Sequence, residues 1–143
     1  MTLPKISVSE QLAAAFAAMP PELPAAVTTM CDAVMMDVAG LCVAARKADF
    51  VRSIVAATSE PGGCTMIGHA GGFNVASVAL VNGTAAHGED YYDTYEGGPI
   101  HAGVVIIPAV LATAEAHRLS GADVVRGVAV GCEVMCRLCT VAP

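Results

Sequence analysis

The chain has 143 residues, 55% of them apolar and 14% charged, with a formal net charge of −6. That length supports one domain with a core, and the acidic balance argues against a nucleic-acid or anionic-membrane partner. So high an apolar share implies either a very large buried fraction or surface buried against a partner.

Ser7 and Glu10 spell an S-x-x-E capping box, which starts a first helix running to Met19. Pro20, Pro21 and Pro24 end it and open the next, because proline suits a first helical turn and not an interior. From Ala25 to Ala45, Val27, Met30, Cys31, Val34, Met35, Val38, Leu41 and Cys42 recur at helical spacing. The apolar region Leu23 to Ala45 is interrupted by Asp32 and Asp37, so no membrane span is expected. Asp49 is placed to cap a third helix through Thr58. Pro61, Gly62 and Gly63 then break the chain, and Cys64 to Ile67 predicts one short strand before a glycine-rich turn at Gly68 to Gly72. Asn74 to Ala86 and Val104 to Leu119 read as helices on either side of a long loop, with Pro108 in the first turn of the second or at a kink. Ser120 and Asp123 cap a last helix to about Cys139. The expected fold is mainly α, one domain over residues 1–143, with at most one short strand near 64–67.

The polar chemistry is concentrated between Asn82 and Gly103. His87 and His101 bracket Glu89, Asp90, Tyr91, Tyr92, Asp93, Thr94, Tyr95 and Glu96, and all three tyrosines of the protein lie here. Composition alone fits an acidic surface loop and equally a site that moves protons on a small polar substrate. If the segment makes one helical turn, Asp90, Asp93 and Thr94 share a face, and His87 joins them. A carboxylate beside an imidazole raises its pKa and suits it to acid–base work near neutral pH. His69 reads as a turn residue and His117 as a helix-end residue near the negative end of the dipole.

Cys132, Cys136 and Cys139 spell C-x3-C-x2-C, the spacing of a cluster-binding loop. Here the spacing falls on a predicted helix, where the three share one face and read as small packing side chains, so no metal is expected. The six cysteines, in a chain whose start MTLPKISVSE lacks a basic end and apolar run, read as reduced thiols in a cytoplasmic protein.

The order of motifs resembles the 2-methylcitrate dehydratase / cis-aconitate decarboxylase (MmgE/PrpD) family. The matching pieces are Asn82, Gly83, His87, Asp90, Tyr91, Asp93 and Thr94, then His101, Ala102 and Gly103. They continue with Pro108, Ala109, Leu111, Ala112, Ala114 and Glu115, then Ser120, Gly121 and Asp123, then Gly131, Glu133, Val134, Arg137 and Leu138; upstream, Asp37 and Gly40 fit as well. The resemblance implies the N-terminal portion of an all-helical domain, with the family's lid domain and C-terminal helices outside it. It implies metal-free and cofactor-free acid–base chemistry: elimination of water or carbon dioxide, or epimerisation, on a small di- or tricarboxylic acid. By resemblance Asp90, Thr94 and His101 fall on the catalytic positions, with His87, Tyr91 and Asp93 assigned to substrate binding.

Two departures bear on that expectation. Tyr92 stands where the family commonly has the first of two adjacent aspartates. The family's lysines, a further histidine and a tyrosine correspond to positions beyond Pro143. With only seven Lys and Arg, the chain is short of counter-charges for a polyanion. The expectation is an enzyme piece, a fragment or part of a split enzyme, inactive alone and working as a homo-oligomer or with a complementing chain. The alternative expectation is a catalytically silent helical assembly module.

Overall fold

The computed structural model describes residues 6–141. The described elements are α1 Val8–Ala17, α2 Ala25–Ala45, α3 Asp49–Thr58, β1 Pro61–Cys64, α4 Val75–His87, α5 Ala102–His117 and α6 Gly121–Val141. The mainly α expectation therefore holds. α4 is the central element, packed against α5, α2, α3 and β1, while α6 packs on α5 and α2. Val38, Val51, Met66, Val78, Val81, Ile107 and Val128 are fully buried where these helices meet.

The helix starts follow local chemistry. At α1 the Ser7 side chain accepts from the Glu10 amide while Glu10 accepts from the Ser7 amide. Asn74 caps α4 by accepting from the Ser77 amide at 2.7 Å. Ser120 and Asp123 cap α6 in the same reciprocal way. Arg126 on α6 donates to the carbonyls of Phe16, Met19 and Pro20, satisfying orphan acceptors where α1 ends.

Three local expectations are corrected. Ala48, not Asp49, is the N-cap of α3, and Asp49 instead pairs with Arg52 at 2.6 Å. α5 begins at Ala102, two residues early, so Pro108 lies in the helix interior and is buried. The strand is at 61–64, and residues 65–67 lie outside it. It bridges to Phe73 at Pro61 and Cys64, and the Gly62 amide donates to the Gly72 carbonyl at 3.1 Å. A Cβ at Gly62 would collide with the Phe73 carbonyl, and one at Gly72 with the Gly62 carbonyl, so glycine is what lets the two segments approach.

Side chains, and not a ladder, satisfy the backbone of residues 65–67. Glu115 accepts from both the Thr65 amide and its hydroxyl at 2.6 Å. Asn82, only 2% exposed on α4, accepts from the Ile67 amide at 3.0 Å and donates to the Thr65 carbonyl. A buried amide so used fixes the segment that seals one side of the core.

α2 has the length and apolar composition of a membrane-crossing helix, with 17% of its apolar window buried. One face packs inward through Cys31, Val38, Cys42 and Ala45. The other exposes Met30 at 63% and Met36 at 75%, together with Asp32 and Asp37.

Asn82→Ala leaves the Ile67 amide buried without a partner and should cost about 1–3 kcal/mol in urea unfolding. A loss below about 0.5 kcal/mol would show that the 65–67 segment does not depend on this side chain.

Candidate active site

The loop joining α4 to α5 carries the site. α4 ends at His87 with Gly88 as its cap, and the chain turns sharply at Asp90, a non-glycine residue at φ 61°. That left-handed conformation is costly for a residue with a Cβ and recurs at functional positions. Beyond it, a second turn folds the chain back. The Gly98 amide donates to the Tyr95 carbonyl, and the Tyr95 amide donates to the Ile100 carbonyl at 3.1 Å. This hairpin-like return sets residues 93–94 beside His101.

The anchor of the return is Asp93. Both of its carboxylate oxygens accept from the Gly103 amide, at 3.1 and 3.0 Å. His101, the N-cap of α5, makes no side-chain cap bond. Asp93 therefore supplies from the opposite strand of the loop what a Ser or Asp N-cap supplies locally. A Cβ at Gly103 would collide with Asp93 Oδ1, so the close approach requires glycine.

His101 Nδ1 lies 2.9 Å from the Asp93 carbonyl oxygen and 3.3 Å from Thr94 Oγ1. A carbonyl only accepts, so Nδ1 carries the proton and Nε2 of the neutral ring holds a free lone pair. Thr94 Oγ1 shares the Nδ1 proton as an acceptor, which leaves its own hydroxyl hydrogen free to donate.

Tyr92 joins the remaining groups. Its hydroxyl donates to Asp90 Oδ1 at 2.6 Å. That bond, first, and burial, second, push the phenol above its ordinary pKa, so it remains a donor at neutral pH. Its ring centroid lies 4.6 Å from that of His87 and 4.3 Å from that of His101, while the two imidazoles are 6.1 Å apart. The structure thus brings Thr94 and His101 into direct contact and links Asp90 and His87 to them through Tyr92. Sequence reasoning did not assign Tyr92. The available signal was its standing in an aspartate position of the motif.

The set does not form one enclosed pocket. The segment is irregular, so the single helical face expected for His87, Asp90, Asp93 and Thr94 is not formed. Asp93 and Thr94 line an apolar cleft of about 550 Å³ with Met30, Cys31, Val34 and Cys132. His87 lines a different groove beside Phe50, Leu80 and Val105. Tyr91, assigned to substrate binding, is 79% exposed and makes no side-chain hydrogen bond among the described residues.

Cys132, Cys136 and Cys139 lie along α6, partly buried. Burial, with the nearby Asp93 charge, pushes the Cys132 thiol up to about 11. Such a thiol stays protonated at neutral pH and is a poor nucleophile or metal ligand. Among the described residues no group of three His, Cys, Asp or Glu side chains is arranged to hold a metal ion.

The chain matches the family model described as MmgE/PrpD N-terminal domain over residues 10–143. No curated protein and no solved structure matches it.

Asp93→Ala should lower stability by about 1 kcal/mol in urea unfolding, the cost of a lost N-cap. Asp93→Asn, which keeps an acceptor oxygen, should recover most of it. Equal stability of Asp93→Ala and the parent chain would show that the cap is not what closes the loop.

Proposed function

This chain belongs to the MmgE/PrpD family, and on that premise we propose that it carries half of an acid–base site for a small di- or tricarboxylic acid. The reaction is elimination of water or carbon dioxide, or epimerisation, beside a carboxylate, without a metal or other cofactor. The observation that supports this most is the state of His101. With Nδ1 donating to the Asp93 carbonyl at 2.9 Å, Nε2 is the free base. Abstraction of a carbon-bound proton needs such a base, held in one orientation. Thr94 supplies a hydroxyl donor for a substrate oxygen. Asp90 supplies a carboxylate with Oδ1 engaged by Tyr92 and no partner for Oδ2 among the described residues. Six free thiols fit a reducing, cytoplasmic setting.

Charge explains why it is a half-site. Glu89, Asp90, Asp93 and Glu96 crowd the loop, and among the described residues no lysine or arginine side chain hydrogen-bonds to it. Arg52 and Arg137 are paired with Asp49 and Glu133, and Arg126 is spent on carbonyls. A tricarboxylate needs cations both to bind and to spread the charge that develops in the transition state. Those cations come from a complementing chain. The outward face of α2, where Met30, Met36 and Val43 are exposed alongside Asp32 and Asp37, is surface for such a chain or a second copy to cover. That same face favours the second reading, a silent helical assembly module.

The isolated chain should give no turnover of 2-methylcitrate or cis-aconitate between pH 5 and 8. Addition of a complementing chain rich in lysine should restore turnover, and Asp90→Asn or His101→Ala should lower it about a hundredfold or more. Robust turnover by the isolated chain would overturn the charge argument. A stable complex by light scattering with no turnover under any of these conditions would favour the assembly module.

A further inference from the structure

Tyr92 touches three of the assigned residues, Asp90, His87 and His101. Its hydroxyl meets a carboxylate and its ring meets both imidazoles. Each contact has a consequence for the atoms that would react.

Asp90 is exposed, on an irregular loop, in a left-handed backbone conformation. A carboxylate there is free to rotate unless something holds it. The Tyr92 hydroxyl is its only side-chain partner among the described residues, at 2.6 Å, and engages Oδ1 alone. A charge-assisted bond of that length selects one orientation and leaves the other oxygen open.

The ring does separate work. A neutral His101 with its proton on Nδ1 presents a bare Nε2, and the nearest other imidazole is His87. Both imidazoles lie against the same phenol ring, so that ring limits how either can turn. The phenol ring stands 4.6 Å from the His87 imidazole and 4.3 Å from that of His101, whose own centroids lie 6.1 Å apart at an interplanar angle of 84°.

We infer that Tyr92 is a positioning residue: its hydroxyl orients Asp90 with Oδ2 open, and its ring braces the imidazoles of His87 and His101. The inference rests on the acid–base reading above, and it separates the two parts of the side chain. The hydroxyl acts through Asp90 and the ring acts through His101.

Two variants and two readouts test it on the full chain. Tyr92→Phe keeps the ring and removes the hydroxyl; Tyr92→Leu removes both. In carbon- and nitrogen-labelled protein, the ring C–H signals of His87 and His101 should carry a ring-current displacement that survives in Tyr92→Phe and disappears in Tyr92→Leu. The side-chain carboxyl signal of Asp90 should move in both variants. With a complementing chain and 2-methylcitrate, Tyr92→Phe should lower kcat about tenfold or more, the worth of a hydrogen bond to a charged group, with KM nearly unchanged. Asp90→Asn combined with Tyr92→Phe should be no slower than Asp90→Asn alone, because the hydroxyl acts only through that carboxylate. An unmoved Asp90 signal in Tyr92→Phe, unmoved imidazole signals in Tyr92→Leu, or full additivity of the two substitutions would overturn the inference. Absence of turnover in every protein would count against the acid–base reading, and the spectra would still decide the role of Tyr92.

Discussion

The carboxylate of Asp93 on the Gly103 amide is the contact on which the site depends. It closes a loop that otherwise has no regular structure, and it does so at the N-terminus of α5, where unpaired amides favour a negative group. The same residue's carbonyl accepts from His101 Nδ1. One residue therefore uses its side chain to fix the backbone at 103 and its main chain to set the tautomer at 101. The orientation of the imidazole and the start of α5 are a single arrangement, and Gly103 is the residue without a Cβ that makes room for it.

The helices beneath make this loop possible. α4 and α5 pack on each other and carry the two ends of the loop. α4 is held in turn by Asn82, whose buried amide organises the segment after β1, and by a core of Val78, Val81 and Ala85. Small side chains throughout these helices allow close backbone approach, and long charged side chains are few. That economy leaves the chain with a packed scaffold, an acidic loop and only seven Lys and Arg.

Much of this was legible in the residues. Capping boxes gave α1 and α6 closely and helical spacing after Pro24 gave α2, because those signals are local: in the boxes, a Ser side chain reaches the amide three residues on. Asp49 misled because a carboxylate in a first turn can pair with an arginine three residues on as readily as cap the helix. The strand was displaced because glycines carry no β propensity, and its pairing with Phe73 depends on their lack of a side chain. Pro108 pointed to a later helix start, whereas burial carries α5 through it. In the site, the motif brought out Asp90, Thr94 and His101, but spacing could not show how they connect. Asp93 turned out to hold α5, and Tyr92 proved to be the link. Both depend on contacts across a loop whose path is set by a left-handed residue and a return turn; Gly97 and Gly98 mark the turn, but an aspartate marks the left-handed position only weakly.

The role proposed for His101 depends on which of its nitrogens carries the proton. Nitrogen-15 spectra of the imidazole above its titration range measure this directly. The expected result is the Nδ1–H form, with Nε2 showing the shift of an unprotonated ring nitrogen, and loss of that preference when the loop is opened by Asp93→Ala. A His101 with its proton on Nε2 in the parent chain would contradict it, since the nitrogen proposed as the base would then be a donor.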